Sequence, residues 1–476
     1  MTVAGQQIVL SFRLIPSDLD FGPRYLFTAP WEPVLVRRGD ALGLRALADQ
    51  FANAVAPQLS NRVHDGRWVT ILAWCLVRSH EVFHASGGRG VMTRTEANDR
   101  YAWLRPLELM WVARTIGLAS DDWQERSLAG QRRIAPWYRD GRVFTDRFGM
   151  TVDQFRAYRQ TGMYGGYRLA FRKWPGLTLR GDGWTPGPTT NGLAQWLDKK
   201  LGAAQPIQGK GDEDSLSTRS AKLNRGKEDQ WWFRQWATFD HEGRNVDENT
   251  LPRRKIDYAI LPEAHLLKPL IFGIDASGKL RLEVAREVAK SGAMNHLEIC
   301  EHLARVFGDR PAIKLLPYFS RLADAGMSAM DLVAEALSTD SRVALADIAT
   351  LASAKPVCQE LTAAAREWTK HAEMQLRHID TAHRFASAFP SAQPVDCLGA
   401  LLDYHERYGG GLRWFVLRNG QVEPRTPSRT GSSGYRFRLW SLCRLAKQCG
   451  VLHTMPSALR GDDEAREAET SGGADE

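Results

Sequence analysis

The stretch GRWVTILAWCLVRSHEVFH, residues 66–84, decides the fold class. Residues 68–77 are apolar apart from Thr70, and Arg67 and Arg78 bound them. The run is far short of the roughly 18 apolar residues that cross a bilayer. It reads instead as one buried helix from about 66 to 84. Working outward, Asp40 is a helix N-cap that precedes Leu44, Leu47 and Phe51 at helical spacing. A further helix is expected from 95 to 116, kinked at Pro106. Thr151 to Gln154 match a capping box and Gly162 suits a C′ glycine, which predicts a helix over 152–161.

Beyond position 286 the chain turns Ala/Leu-rich up to 407, with repeated helical spacing and no fixed repeat period. That pattern reads as a helical bundle or stacked helical pairs. Two hairpins are expected. One spans 271–284, with the turn DASG and Leu280, Leu282 and Val284 alternating inward. The other spans 413–423 around Asn419-Gly420, a pair suited to a type I′ turn. After it, YRFRLWSLCRLAKQCG predicts a helix with Phe437, Leu439, Leu442, Leu445 and Ala446 inward and Arg436, Arg444 and Lys447 outward. The opening residues hold short β-like runs broken by prolines.

The expected class is therefore mainly α and multi-domain with short β-hairpins: an α+β N-terminal part and a helical bundle in the C-terminal part. Thirteen of the sixteen tryptophans lie at or before Trp236, which marks a compositional break. The expected division is a Trp/Arg-rich domain over 1–202, a linker or long loop over 203–227, a mainly helical domain over 228–409, a hairpin-plus-helix module over 410–460 and a disordered acidic tail over 461–476. A small helix over 229–239 is expected to bury Trp231, Trp232 and Trp236. The six cysteines show no CxxC pair, and the first residues lack the features of a secretory signal. Both point to a reducing cytoplasm and away from a disulfide or zinc framework. No membrane partner is expected.

Charge carries the functional reading. Between 131 and 180 there are eleven Lys and Arg against three Asp, a net of +8 that equals the formal excess of the whole chain. A basic excess gathered into so short a segment is the footprint of a polyanion partner. Within it, RQTGMYGGYRLAFRKWPGLTLRGDGW (159–184) interleaves cations with aromatic residues. Its glycines lack the spacing of a phosphate-binding loop, which disfavours nucleotide hydrolysis by that route. Nucleic acid, DNA in preference to RNA, is the expected partner. Arg156, Arg159, Arg168, Arg172 and Lys173 are the candidate phosphate contacts, and Tyr164 and Tyr167 the candidate base stackers. The competing reading lets Tyr167, Leu169 and Phe171 alternate into a core while Arg168 and Arg172 face water.

A metal centre is the alternative. His80, Glu81 and His84 form HExxH, which on a helix sets two imidazoles at i and i+4 with a carboxylate beside them. This resembles the zincin metallopeptidases and implies a zinc-dependent hydrolase. The chain departs from that pattern at Arg78 and Ser86, and a third ligand would have to come from Glu96 or Glu108. Of the carboxylates that could hold magnesium in a nuclease, Asp275 and Glu283 lack the companion lysine. Asp257, Glu263, His265 and Lys268 read as salt-bridged loop residues. No cysteine sits beside a histidine in a way that suggests an activated nucleophile, so no catalytic residue and no cofactor is assigned. The C-terminal hairpin and helix could form a winged element, with Arg436, Arg438, Arg444 and Lys447 toward phosphate, or a packing module closed by Trp414 and Trp440. A helical protein-interaction scaffold is the third class.

The phrases RYLFTAPW (24–31), RYAWLRPLELMW (100–111) and GQRRIAPW (130–137) resemble uncharacterised prokaryotic proteins of mobile-element and phage-defence gene neighbourhoods. The resemblance implies a bacterial setting, a place in a multi-subunit system with protein partners, and work beside helicases or nucleases. It implies no residue roles.

Overall fold

Local sequence signals set the helix boundaries. The computed structural model describes residues 40–60, 62–85, 162–201, 249–273, 275–337, 342–372, 376–410, 413–425 and 435–460, with short pieces between 104 and 139. In chain order the first helices are α1 (Arg45–Val55), α2 (Gly66–Ala85), α3 (Met163–Lys173) and α4 (Pro188–Leu201). Next come α5 (Ala264–Phe272), α6 (Ala276–Lys290), α7 (His296–Val306), the single turn α8 (Pro311–Lys314) and α9 (Leu316–Ala336). The strand β1 (Val343–Ala344) leads into α10 (Leu345–Thr350), α11 (Ala354–His371), α12 (Ile379–Ser387) and α13 (Pro394–Tyr408). The hairpin β2 (Phe415–Arg418) and β3 (Gln421–Pro424) precedes α14 (Leu439–Gln448). The protein is mainly helical with one small antiparallel sheet of order β1-β3-β2.

α1 begins at Arg45 with Leu44 as its N-cap, so Asp40 is not the N-cap that its sequence position predicts; its carboxylate accepts the amides of Leu44 and Arg45, both at 3.0 Å, from the turn that precedes the helix. Asn419 and Gly420 have φ of 50° and 76°, the paired positive values of a type I′ turn. α2 is buried from Gly66 through Leu76, with Trp68 and Trp74 fully inside, and it packs along α4. The second large contact is α9 along α11. There Phe319 meets Phe51 of α1 at 4.7 Å between centroids, and Phe437 and Trp368 at 6.0 Å each.

Residues 271–284 correct the sequence reading. They form no hairpin: α5 ends at Phe272, and Asp275 caps α6 by accepting the amide of Gly278. Leu280, Val284 and Val288 are buried while Leu282 is only half-buried, the spacing of a helix rather than a strand. Gly162 differs as well. It is the extended residue that enters α3, with a φ of −64° in place of the left-handed value of a C′ glycine. The helix expected over 152–161, the one over 229–239, the opening β-like runs, the linker and the acidic tail lie outside the described residues. The described positions between 104 and 117 are helical.

Among the described residues one hydrophobic core cluster includes side chains from 41–201, 251–404 and 415–459. Polar contacts likewise join distant parts of the chain. Asp40 and Gly410 exchange backbone hydrogen bonds, and Arg67 pairs with Glu263 at 2.8 Å, both side chains fully buried. Asp65 accepts from Gln448 Nε2 at 3.3 Å and from the Arg253 amide at 3.0 Å. Thr70 donates to Glu263 at 3.1 Å. Burial pulls the Arg67 pKa down and pushes that of Glu263 up, against the mutual attraction of the pair. Among the described residues no helix is long and apolar enough to cross a membrane.

Candidate nucleic-acid interface

The basic-aromatic stretch folds as α3 and a loop that turns back beneath it. On α3, Met163, Tyr164, Tyr167, Ala170 and Phe171 form the buried stripe. Gly165, Arg168, Leu169, Arg172 and Lys173 form the exposed one. This is a helical partition and not an alternating strand: Tyr167 and Phe171 are buried and Arg168 and Arg172 exposed as the competing reading has them, whereas Leu169 is 40% exposed.

The two tyrosines are core residues, which corrects their expected role. Tyr167 is fully buried, and its hydroxyl donates to the Asp65 carbonyl at 3.0 Å and accepts from the Asp65 amide at 3.1 Å. Tyr164 packs on Trp184 and Phe171, with centroids 5.0 and 5.6 Å away. Burial raises both phenol pKa values well above the usual range. Neither ring has a face free for a base. Arg156 and Arg159 lie outside the described residues.

The entry to α3 is held by Glu108. Its Oε1 accepts the Tyr164 amide, and its carboxyl lies so close to Gly162 that a Cβ there would collide with it. A carboxyl at a helix N-terminus fits the helix dipole. Complete burial nonetheless dominates and pushes the Glu108 pKa up to about 8, against the pull of the Tyr164 amide and of Arg105.

Past Trp174 the chain forms a closed loop. The Thr178–Pro186 bridge and the bonds Leu179 N to Thr185 O (2.9 Å) and Gly187 N to Leu177 O (2.8 Å) tie its ends. Thr178 Oγ1 donates to the Phe171 carbonyl at 2.7 Å and accepts from the Gly183 amide at 3.1 Å. Asp182, the loop's one acid, is occupied: it accepts from the amides of Trp184 (2.6 Å) and Thr185 (2.9 Å) and from the Thr185 hydroxyl (2.6 Å).

This closure gathers the cations. Arg168 lies over the Trp184 ring at 5.1 Å, and the Arg172 stem runs across Gly183. A Cβ on Gly183 would sit 2.7 Å from Arg172 Cγ, and its φ of +80° favours glycine as well. Gly181 passes the Arg172 carbonyl so closely that a Cβ would come within 2.9 Å, which sets Arg180 beside the end of α3. Arg168, Arg172, Lys173 and Arg180 are all exposed on this helix and loop. Among the described residues none of the four has a carboxylate partner. Arg180 belongs to this set through the loop, although it is not among the five cations singled out from the sequence.

The other candidates resolve differently. His80 is half-buried on α2, and the side chains of Glu81 and His84 lie outside the described set. Glu108 is committed to the Tyr164 amide and lies beside Cys75, five residues before His80 on α2. No group of three or more His, Cys, Asp or Glu able to hold a metal occurs among the described residues. Asp257 pairs with Arg253 at 3.2 Å and Glu263 with Arg67, as their salt-bridged reading expects. His296 and Cys300, one helical turn apart, do meet at 3.5 Å, a pair missed in the sequence. Burial drives the imidazole pKa down to about 3 and the thiol up, so both are neutral and no thiolate forms.

In the C-terminal module the expected outward face is corrected at Arg444. It is fully buried over Trp440 and donates to the Arg254 carbonyl at 2.7 Å. Arg438 is likewise engaged, with Asp49 at 3.1 Å and Asn53 at 2.6 Å. Arg436 is half-buried and pairs with Asp324 at 3.9 Å, so three of the four cations offered to phosphate there are engaged within the protein.

The fold class is thus a mainly helical protein carrying a preformed basic face. No protein-family model, curated protein or solved structure matches the chain.

Proposed function

We propose that the chain binds nucleic acid, with DNA as the expected form, by setting Arg168, Arg172, Lys173 and Arg180 against phosphates. The supporting observation is that four exposed cations sit on α3 and on the loop that packs back against it, without a carboxylate partner among the described residues, and that the loop is tied by the bonds of Thr178, Asp182 and Thr185. Preformed geometry lowers the ordering cost of binding. The burial of Tyr164 and Tyr167 removes base stacking from that part of the face, so backbone charge carries the affinity. The resemblance to proteins of defence and mobile-element neighbourhoods favours service as a DNA-holding subunit of a bacterial machine of that kind.

Four phosphates neutralised give a log–log salt slope of about −3.6, which is roughly a hundredfold loss between 50 and 200 mM salt. Fluorescence anisotropy with a labelled duplex over that range measures it. Replacing Arg168, Arg172, Lys173 and Arg180 together by Gln should flatten the slope by about 3 to 4. Salt-independent binding, or an unchanged slope in the variant, refutes the assignment.

A further inference from the structure

The loop at the tip of the basic face holds a feature that phosphate binding does not use. Leu179 is 49% exposed and stands between Thr178, anchored to the end of α3, and Arg180. Arg180 takes the left-handed conformation with φ of 56°, which a side chain larger than glycine adopts only when its surroundings enforce it. Those surroundings are the Thr178, Asp182 and Thr185 bonds above, with Thr190 donating to the Leu177 carbonyl behind them. The tip is therefore tied in place by hydrogen bonds and presents an apolar side chain next to Arg180, on a loop that packs back against the cationic end of α3.

We infer that this tip is a wedge for the minor groove of duplex DNA, with Leu179 entering between two base pairs while Arg172, Lys173 and Arg180 hold the phosphates on either side. The inference rests on the nucleic-acid reading of this face. An apolar side chain pressed into a base step unstacks it and bends the duplex by about 20–90°. Pyrimidine–purine steps such as TA yield most easily, so the protein selects by deformability without reading base edges. A-form RNA, with its wide and shallow minor groove, offers a poorer fit.

A duplex of about 30 base pairs with a central TA step, carrying a donor and an acceptor dye at its ends, tests this by energy transfer. Binding of the full chain should raise transfer. Leu179→Ala should bind with the same salt slope yet lose that rise, and Leu179→Met should keep it. Because Leu179 is exposed, the variants are expected to fold, which circular dichroism verifies. Salt-sensitive binding without a rise, or a rise that survives Leu179→Ala, overturns the wedge while leaving the phosphate reading intact. Absence of any salt-sensitive binding overturns the phosphate reading itself. Equal bending of a duplex RNA overturns the choice of DNA.

Discussion

Replacing Glu108 by Gln should change how stability depends on pH in a calculable way. The carboxyl is fully buried at the entry of α3, with a folded-state pKa of about 8 against an ordinary value of 4.5. Between these values the folded protein holds a proton that the unfolded chain has released. Stability is then fully present below about pH 4.5 and is lost as pH climbs to about 8, at about 1.4 kcal/mol per unit. The whole window amounts to about 5 kcal/mol, a large share of the 5–15 kcal/mol typical of a folded domain. In Glu108→Gln the amide oxygen can still accept the Tyr164 N–H, but nothing titrates there. Urea unfolding followed by tryptophan fluorescence at pH 5 to 9 gives the stability of both proteins. The difference, wild type minus variant, should fall steadily from pH 5 to 8 and level off above. Taking a difference cancels the other ionisable groups, Glu263 among them. A flat difference over this range would mean that the folded pKa of Glu108 is not raised above the unfolded one, and would refute the reasoning.

Three further outcomes follow from the geometry. Arg67→Met leaves Glu263 without its cation in the core and should cost about 3–5 kcal/mol, whereas Arg67→Met with Glu263→Leu should recover much of it, both measured by urea unfolding. Tyr167→Phe removes two hydrogen bonds to the Asp65 backbone and should cost about 1–3 kcal/mol while leaving the DNA salt slope unchanged; a flattened slope would return the ring to the interface. Residues 461–476 carry seven acids and one Arg, so their deletion should tighten DNA binding at low salt by anisotropy, and unchanged affinity would exclude competition by that segment.

What the sequence disclosed was what local chemistry decides. The apolar core of α2 and the Asn419-Gly420 turn each depend on a few neighbouring residues and appear as expected. The misread 271–284 segment shows the limit of short windows. Leu280 and Val284 satisfy a period of two and a period of 3.6 alike, and only Leu282, half-buried, separates them. The α3 stretch was harder because Gly165 and Gly166 weaken a helix in isolation. Here tertiary packing prevails: Gly166 is pressed against the Arg62 stem, and Ser60 donates to its carbonyl at 2.9 Å. The clustering of cations was legible in composition, and a buried Tyr167 was one of the two readings the sequence allowed, whereas the burial of Tyr164 and Arg444 was not legible. Tyr164, Tyr167 and Arg444 each depend on groups far away in sequence: Glu108, Asp65 and the carbonyl of Arg254.

The bonds from Gln448 to Asp65 and Gly66 bear on how the protein is made. They join positions 383 and 382 residues apart. At a ribosome speed of about 5–20 residues per second, roughly 20–80 s pass between the emergence of the two sides. Throughout that interval the start of α2 waits with a carboxylate and an amide that its C-terminal partner has yet to reach. Premature termination anywhere before α14 thus leaves a nascent protein with polar groups open at its centre, a ready substrate for chaperones and proteases.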